Sequence, residues 1–243
     1  MTEDLSAGAL LGVMPGRAVR SYPALLSTEA DAQAWARADA PSGALVVADY
    51  QASPRGRNGL PLHVTAGQDL GFSLVLRPEL SLEREGWPYP AASVALRNAL
   101  PGPPAVLEWP DTVLDAETGQ RRAAFGVHAQ LGAGRVDWIV LSVVVEGVDS
   151  PRADLLARLV AAVDDALDAP REDVLADYRA NCVTLGRHVT ALMIPVGPGG
   201  PEVTGEAVDV KDDGALVLLT ARGSRVAVRP QHLGWLEKPA DPD

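Results

Sequence analysis

Residues 44–59, ALVVADYQASPRGRNG, join a run of mostly apolar side chains to a loop with a proline, two glycines and two arginines. The first seven residues have the length and composition of a buried strand. Pro54, Gly56 and Gly59 then break it, because they are the strongest local punctuation a chain carries. Arg55 and Arg57 flank Gly56. Two planar, permanently charged donors can meet a carboxylate or phosphate there, while glycine lets the backbone come close. A plain solvated turn is the other reading of the same residues.

Working outward, Ser27 or Thr28 caps a helix to about residue 38, with Thr28 and Asp31 as an approximate capping box ahead of Ala32, Trp35 and Ala36. Downstream, 72–76 reads as a strand, and Pro90 opens a helix that PGPP stops after residue 100. Segments 106–114, 125–131 and 136–145 read as neighbouring strands. Residues 152–167 place Leu155, Leu156, Leu159, Val160 and Val163 on one helical face, and a shorter helix covers 172–180. The last sixty residues alternate short Val- and Gly-bearing runs, which predicts a small module of about five strands. Within it, 195–201 (PVGPGGP) is a hairpin tip and Asp213-Gly214 a tight turn. The pattern predicts an α+β fold, a mixed β-sheet with packed helices over residues 1–180. A C-terminal β unit follows over 181–238, and 239–243 is a disordered tail.

Composition narrows the function. Across 243 residues, 21 Lys+Arg face 32 Asp+Glu, a formal charge of −11. With no basic tract to release counterions from phosphates, no nucleic-acid partner is expected. No apolar run reaches the roughly 18–20 residues that span a bilayer, so no membrane partner is expected. The acidic start MTEDL is unlike a secretory signal, which predicts a cytoplasmic protein. Cys182 is the single cysteine, and His63, His128, His188 and His232 have no ligand spacing, so neither a disulfide nor a structural metal is expected. Lysine occurs only at Lys211 and Lys238, so cationic chemistry before them falls to arginine. Trp87, in EGWPYP, reads as a surface anchor packed on prolines, with a ligand-stacking lid as the alternative, and His128 as a satisfied sheet histidine.

From Leu26 to Val145 the chain resembles the biotin protein ligase family in several motifs, in order. LLSTEADA carries the family's Ser-Thr pair at a helix start, and VVADYQASPRGRNG resembles its strand and biotin loop, Q-x-x-G-R-G-R-x-G-R. DLGFSLVLRP looks like the strand after that loop, VLEWPDTVL resembles V-x-K-W-P-N-D-V-L, and RRAAFGVHAQL resembles R-K-x-x-G-I-L-x-E. NCVTLGRHV and the residues after Asp212 are similar to the family's SH3-like C-terminal barrel. The resemblance implies a class II aminoacyl-tRNA synthetase-like sheet without the family's N-terminal DNA-binding domain. It also implies a reaction in which ATP, with Mg, activates biotin or a lipoate-like acid for transfer to a lysine of a carrier domain. By position, Ser27, Thr28, Gln51, Arg55 and Gly56 line the acid pocket, Trp109 and Gly126 form its wall, and Arg57, Arg122 and Asp111 carry the chemistry. A homodimer through sheet edges is a further implication.

The departures fall on the cations. Glu108 stands where the family has the lysine of K-W-P-N-D, Asp111 replaces the asparagine and Thr112 the aspartate. Arg122 keeps the arginine of R-K-x-x-G, but Ala123 occupies the lysine position, Leu60 replaces the loop's last arginine, and LSVVVE (141–146) replaces G-I-G-I-N. Two functions follow: a protein that binds a small carboxylic acid and activates it with ATP, or a catalytically degenerate relative acting as a small-molecule-binding, regulatory or interaction protein.

Overall fold

The computed structural model describes residues 3–149 and 151–237; the tail expected at 239–243 lies outside them. Seven strands form the larger sheet: β1 Val19–Tyr22, β2 Leu45–Ala48, β3 Leu70–Leu76, β4 Ala105–Glu108, β5 Thr112–Asp115, β6 Arg121–Leu131 and β7 Val136–Val145. Their order is β1-β2-β3-β7-β6-β5-β4, with β1 parallel to β2 and every other pair antiparallel. Helices α1 Ala7–Val13, α2 Thr28–Arg37, α3 Pro88–Ala99, α4 Arg152–Asp168 and α5 Arg171–Asn181 pack around it.

Both faces of the central strands are covered, which is why their sequences read as unbroken apolar runs. Leu45, Val47, Phe72, Leu74, Leu141 and Val143 face the main core with α3 and α4, while Val46, Val75, Trp138 and Val140 face Ala32 and Ala36 of α2. Period-two alternation thus survives as a division between two apolar layers.

Two expectations about the first unit need correction. The strand expected at 106–114 is a hairpin, β4 turning into β5 at Trp109–Asp111, because Pro110 has no N–H to give a ladder. Trp87 is no surface anchor: it is 1 % exposed, at the start of α3, with the Arg171 guanidinium 5.6 Å from its ring. The elements α1 and β1 are absent from the sequence reading, and Arg152 ties down the turn before α1. That buried arginine pairs with Asp4 at 3.0 Å and Asp49 at 2.8 Å, and donates to the Asp69 carbonyl at 3.3 Å.

The C-terminal unit consists of β8 His188–Met193, β9 Glu202–Val210, β10 Leu216–Leu219, β11 Arg225–Val228 and β12 Leu233–Glu237. They form one antiparallel sheet, β11-β10-β9-β8-β12; among the described residues no ladder joins β11 to β12 to close a barrel. The apolar core continues into it through Tyr178, Cys182, Val189 and Leu216. Val183 donates to the Leu107 carbonyl at 2.8 Å and the Trp109 indole N–H to the Gly214 carbonyl at 2.9 Å. Gly86 meets the Asp213 carbonyl so closely that any Cβ there would overlap it.

Candidate functional site

Of the residues expected to line an acid pocket, Ser27, Thr28 and Gln51 are buried, and the last two belong to a polar seam. Ser27 takes the N-cap position of α2 without a side-chain cap bond, and its buried hydroxyl has no partner among the described residues. Thr28 turns away from the expected capping box. Its N–H and Oγ1 both reach Gln51 Oε1, at 2.8 and 3.0 Å, and its Oγ1 lies 2.8 Å from Ser73 Oγ. Ser73 in turn lies 2.9 Å from Ser142 Oγ, its ladder partner on β7. Gly71 makes room for the Gln51 amide, which a Cβ would overlap. Ser73 and Ser142 were not singled out in the sequence, although a lone hydroxyl inside LGFSLVL and IVLSVVV was the available signal. Ser142 lies in the segment that stands in place of the family's G-I-G-I-N, and here this chain's own side chains bond to one another at the α2 face of the sheet.

The loop lies flat on β6. A Cβ at Gly126 would overlap the backbone of Gly56 and Arg57, so glycine is what permits the contact. Asn58, at φ 54°, and Gly59, at φ 72°, turn the chain back through left-handed backbone that these two residue types tolerate. Arg57 is 6 % exposed. Its Nε donates to Asp111 Oδ2 at 2.8 Å, and its Nη1 donates to the Leu233 carbonyl and, at 3.5 Å, to that of Pro230. Asn58 Nδ2 adds a bond to the Leu233 carbonyl at 2.9 Å. The guanidinium therefore joins the loop, the β4–β5 turn and the C-terminal unit.

The other two arginines do not join it. Arg55 is exposed and donates to the carbonyl of Gly59 in its own loop at 3.1 Å. Arg122 donates to the carbonyls of Pro101 and, at 2.7 Å, Pro103, bordering a separate cleft with Glu146 and Asp149. Arg122 is the second residue of β6, four residues from Gly126, and its guanidinium is taken up by the PGPP segment.

Beside Arg57 opens a cleft of about 920 Å³, lined by Trp109, Asp111, Phe125 and, from the C-terminal unit, Leu233 and Trp235. Its cations are Arg57 and Arg121; its carboxylates are Glu108, Asp111 and Glu237. Arg121 is held by Glu146 at 2.5 Å, just as Arg57 is by Asp111. Burial pushes the Asp111 carboxyl above its usual range and the Arg57 charge pulls it back. Both cations are ion-paired, and the cleft's carboxylates outnumber its cations three to two. Ala123, at the family's lysine position, has no exposed surface and belongs to the main core. Among the described residues no three His, Cys, Asp or Glu gather as metal ligands, and no helix is long and apolar enough to cross a membrane.

Comparison with known proteins fits this architecture. Residues 184–229 match the model for the biotin protein ligase C-terminal domain. A solved biotin protein ligase from Aquifex aeolicus, in complex with biotin and ATP, shares the fold at a TM-score of 0.67 and 20% identity, covering 91% of this chain and 99% of that one. A biotin protein ligase-like protein of unknown function from Silicibacter superposes at 0.66 with 15% identity, covering 89% and 96%. A bifunctional ligase/repressor from Bacillus subtilis is 28% identical over 125 residues, 50% of this chain and 38% of its own length. The biotin–[acetyl-CoA-carboxylase] ligase of Mycobacterium tuberculosis is 30% identical over 215 residues, 79% of each chain. With that extent of identity and the shared two-part fold, the chain belongs to the biotin protein ligase family.

Proposed function

We propose that this chain is a non-adenylating member of its family, a small-molecule-binding or regulatory protein built on the ligase scaffold. One observation carries the reading: the guanidinium that would meet an acid or its acyl phosphate is spent on Asp111, Pro230 and Leu233. Activation of a carboxylate by ATP must stabilise charge growing on phosphoryl oxygens, and losing one preorganised donor for that charge costs about 10²–10³ in rate. Here Glu108 and Ala123 stand at both lysine positions, and Glu108 adds a carboxylate. The remaining side chains bind and orient; the Thr28–Gln51–Ser73–Ser142 seam positions α2, and the Arg57 node holds the loop against β6.

A second reading, retained acid activation with transfer to a carrier-domain lysine, is favoured by the 30% identity to a biotin ligase. It requires the loop to leave Leu233 and expose Arg57. ATP–pyrophosphate exchange decides between the two, with biotin, lipoate and octanoate each supplied in turn. The expected result is exchange no faster than the blank without acid, together with no heat on titrating ATP. Acid-dependent exchange that Arg57→Ala abolishes would overturn the proposal in favour of the second reading.

A further inference from the structure

A second pocket, of about 240 Å³, lies where the loop, α3, β6 and the C-terminal unit meet, and it shares only Gly56 with the larger cleft. Glu29, Glu85, Tyr89, His128 and Gln231 border it. Tyr89 is 3 % exposed, yet its hydroxyl has no hydrogen-bond partner among the described residues. Leaving such a group unmet costs about 1–3 kcal/mol, so native proteins rarely keep one without a use. Gln231 supplies a second orphan. Its Nε2 donates to Glu85 Oε1 at 2.5 Å, and because a carboxylate only accepts, the amide is oriented with Oε1 as the buried atom that lacks a partner.

The pocket's lining is therefore rich in acceptors and poor in donors. It has two carboxylates, an amide oxygen and a hydroxyl that can accept or donate, against one His128 ring N–H and an Asn58 amide already bonded to Leu233, with no arginine or lysine in its wall. The Glu29 carboxyl already takes a bond from Gln33 Nε2 at 2.9 Å and keeps a further oxygen. His128 stacks on Trp138 at 5.7 Å, and burial together with the nearby Arg37 charge keeps its ring neutral to lower pH than usual. What would satisfy this set is a compact group with several N–H donors and a positive charge. The volume lies below the roughly 300 Å³ at which pockets begin to hold drug-sized ligands.

We propose that this pocket binds a small organic cation, an alkylamine or alkylguanidine, whose N–H groups meet Glu29, Glu85 and the Tyr89 hydroxyl. Such a site shares the Gly56–Gly59 loop with the expected acid pocket but needs no acid activation, so it stands whether or not pyrophosphate exchange is found. Ligand binding here would also bridge the two structural units, since Gln231 comes from the segment before β12 and Glu29 from the first turn of α2.

Calorimetry on the full chain tests this with 1,4-diaminobutane and butylguanidine as probes, and n-butyrate and n-butanol as controls. The His128 ring resonances, followed by NMR, report the site. The two cations should bind saturably and move His128, while the controls do neither. Glu29→Gln should weaken them by about tenfold, the scale of one charge-assisted hydrogen bond. Tyr89→Phe removes the orphan hydroxyl, so it should leave the melting temperature unchanged or raised while lowering affinity several-fold. A purely structural tyrosine would not split those readouts. Cations that fail to saturate and leave His128 unmoved would show that only water fills the pocket, and equal binding by butyrate or butanol, or unaltered affinity in Glu29→Gln, would equally overturn the assignment.

Discussion

Arg57 and Arg152 are both buried guanidiniums, and their surroundings differ in a way that separates a fully neutralised strut from a cation held largely by main-chain carbonyls. Arg152 is over-neutralised: Asp4 and Asp49 both pair with it, and Asp69 adds a carbonyl. Arg57 has one carboxylate, Asp111, and takes the rest of its bonds from main-chain carbonyls of the C-terminal unit. Two fixed anions lock a cation permanently, whereas neutral carbonyls are weaker acceptors that an anion could displace. The chemistry that made Arg57 conspicuous in the sequence is thus the same chemistry that hid Arg152, and what distinguishes them is the partner set, which only the fold assembles.

The largest test of that contrast is Arg152→Leu. It strands two carboxylates around a closed site, so unfolding by urea should show a loss of about 3–5 kcal/mol. Arg57→Leu should cost less, about 2–3 kcal/mol, because burial already favours the neutral form of Asp111 and the carboxyl can take a proton once the cation is gone. Its signature should be local, with faster amide exchange along β12 and the loop but not around α1. If both variants lose the same stability and loosen the same segments, the contrast between strut and displaceable group fails.

The smallest effect concerns acid. His128, which borders the pocket on the Arg57 side, has its pKa lowered below the ordinary 6.5 by burial and by Arg37. A base depressed in the folded state supplies stability above its unfolded pKa and withdraws it as pH falls through the folded value. Hydrogen exchange between pH 7.5 and pH 5 should therefore loosen the loop and β6 before the Arg152 node, and His128→Asn should flatten that decline. Uniform loosening, or a decline unchanged in the variant, would remove His128 as its cause.

Much of the fold was readable because both apolar layers leave long, uninterrupted marks. The strand 136–145 and the helix from residue 152 were placed from periodicity alone and match β7 and α4 closely. Hydrophobic pattern says little where tertiary contacts decide. β1 exists because β2 offers it a parallel edge and Arg152 anchors the segment before it, and its half-buried VRSY has no strong period of its own. The 106–114 reading ran through Pro110 because residues on both sides have strand composition. At the site, the Thr28–Gln51 pairing and the proximity of Arg57 to Asp111 follow the family motifs. Arg55 and Arg122 do not converge with them, since each finds main-chain acceptors nearer than the cleft. The Tyr89 pocket left no trace in the sequence, because five separate segments build it.

Ala123 shows how firmly the sheet fixes what a position can carry. The residue is sealed between Val113 and Val145 in the sheet, with no exposed surface. A lysine placed here would set an ammonium amid aliphatic neighbours, a change that costs several kcal/mol. The layer around β6 would have to repack before it could take a charged side chain, so the packing of the sheet itself keeps this position apolar.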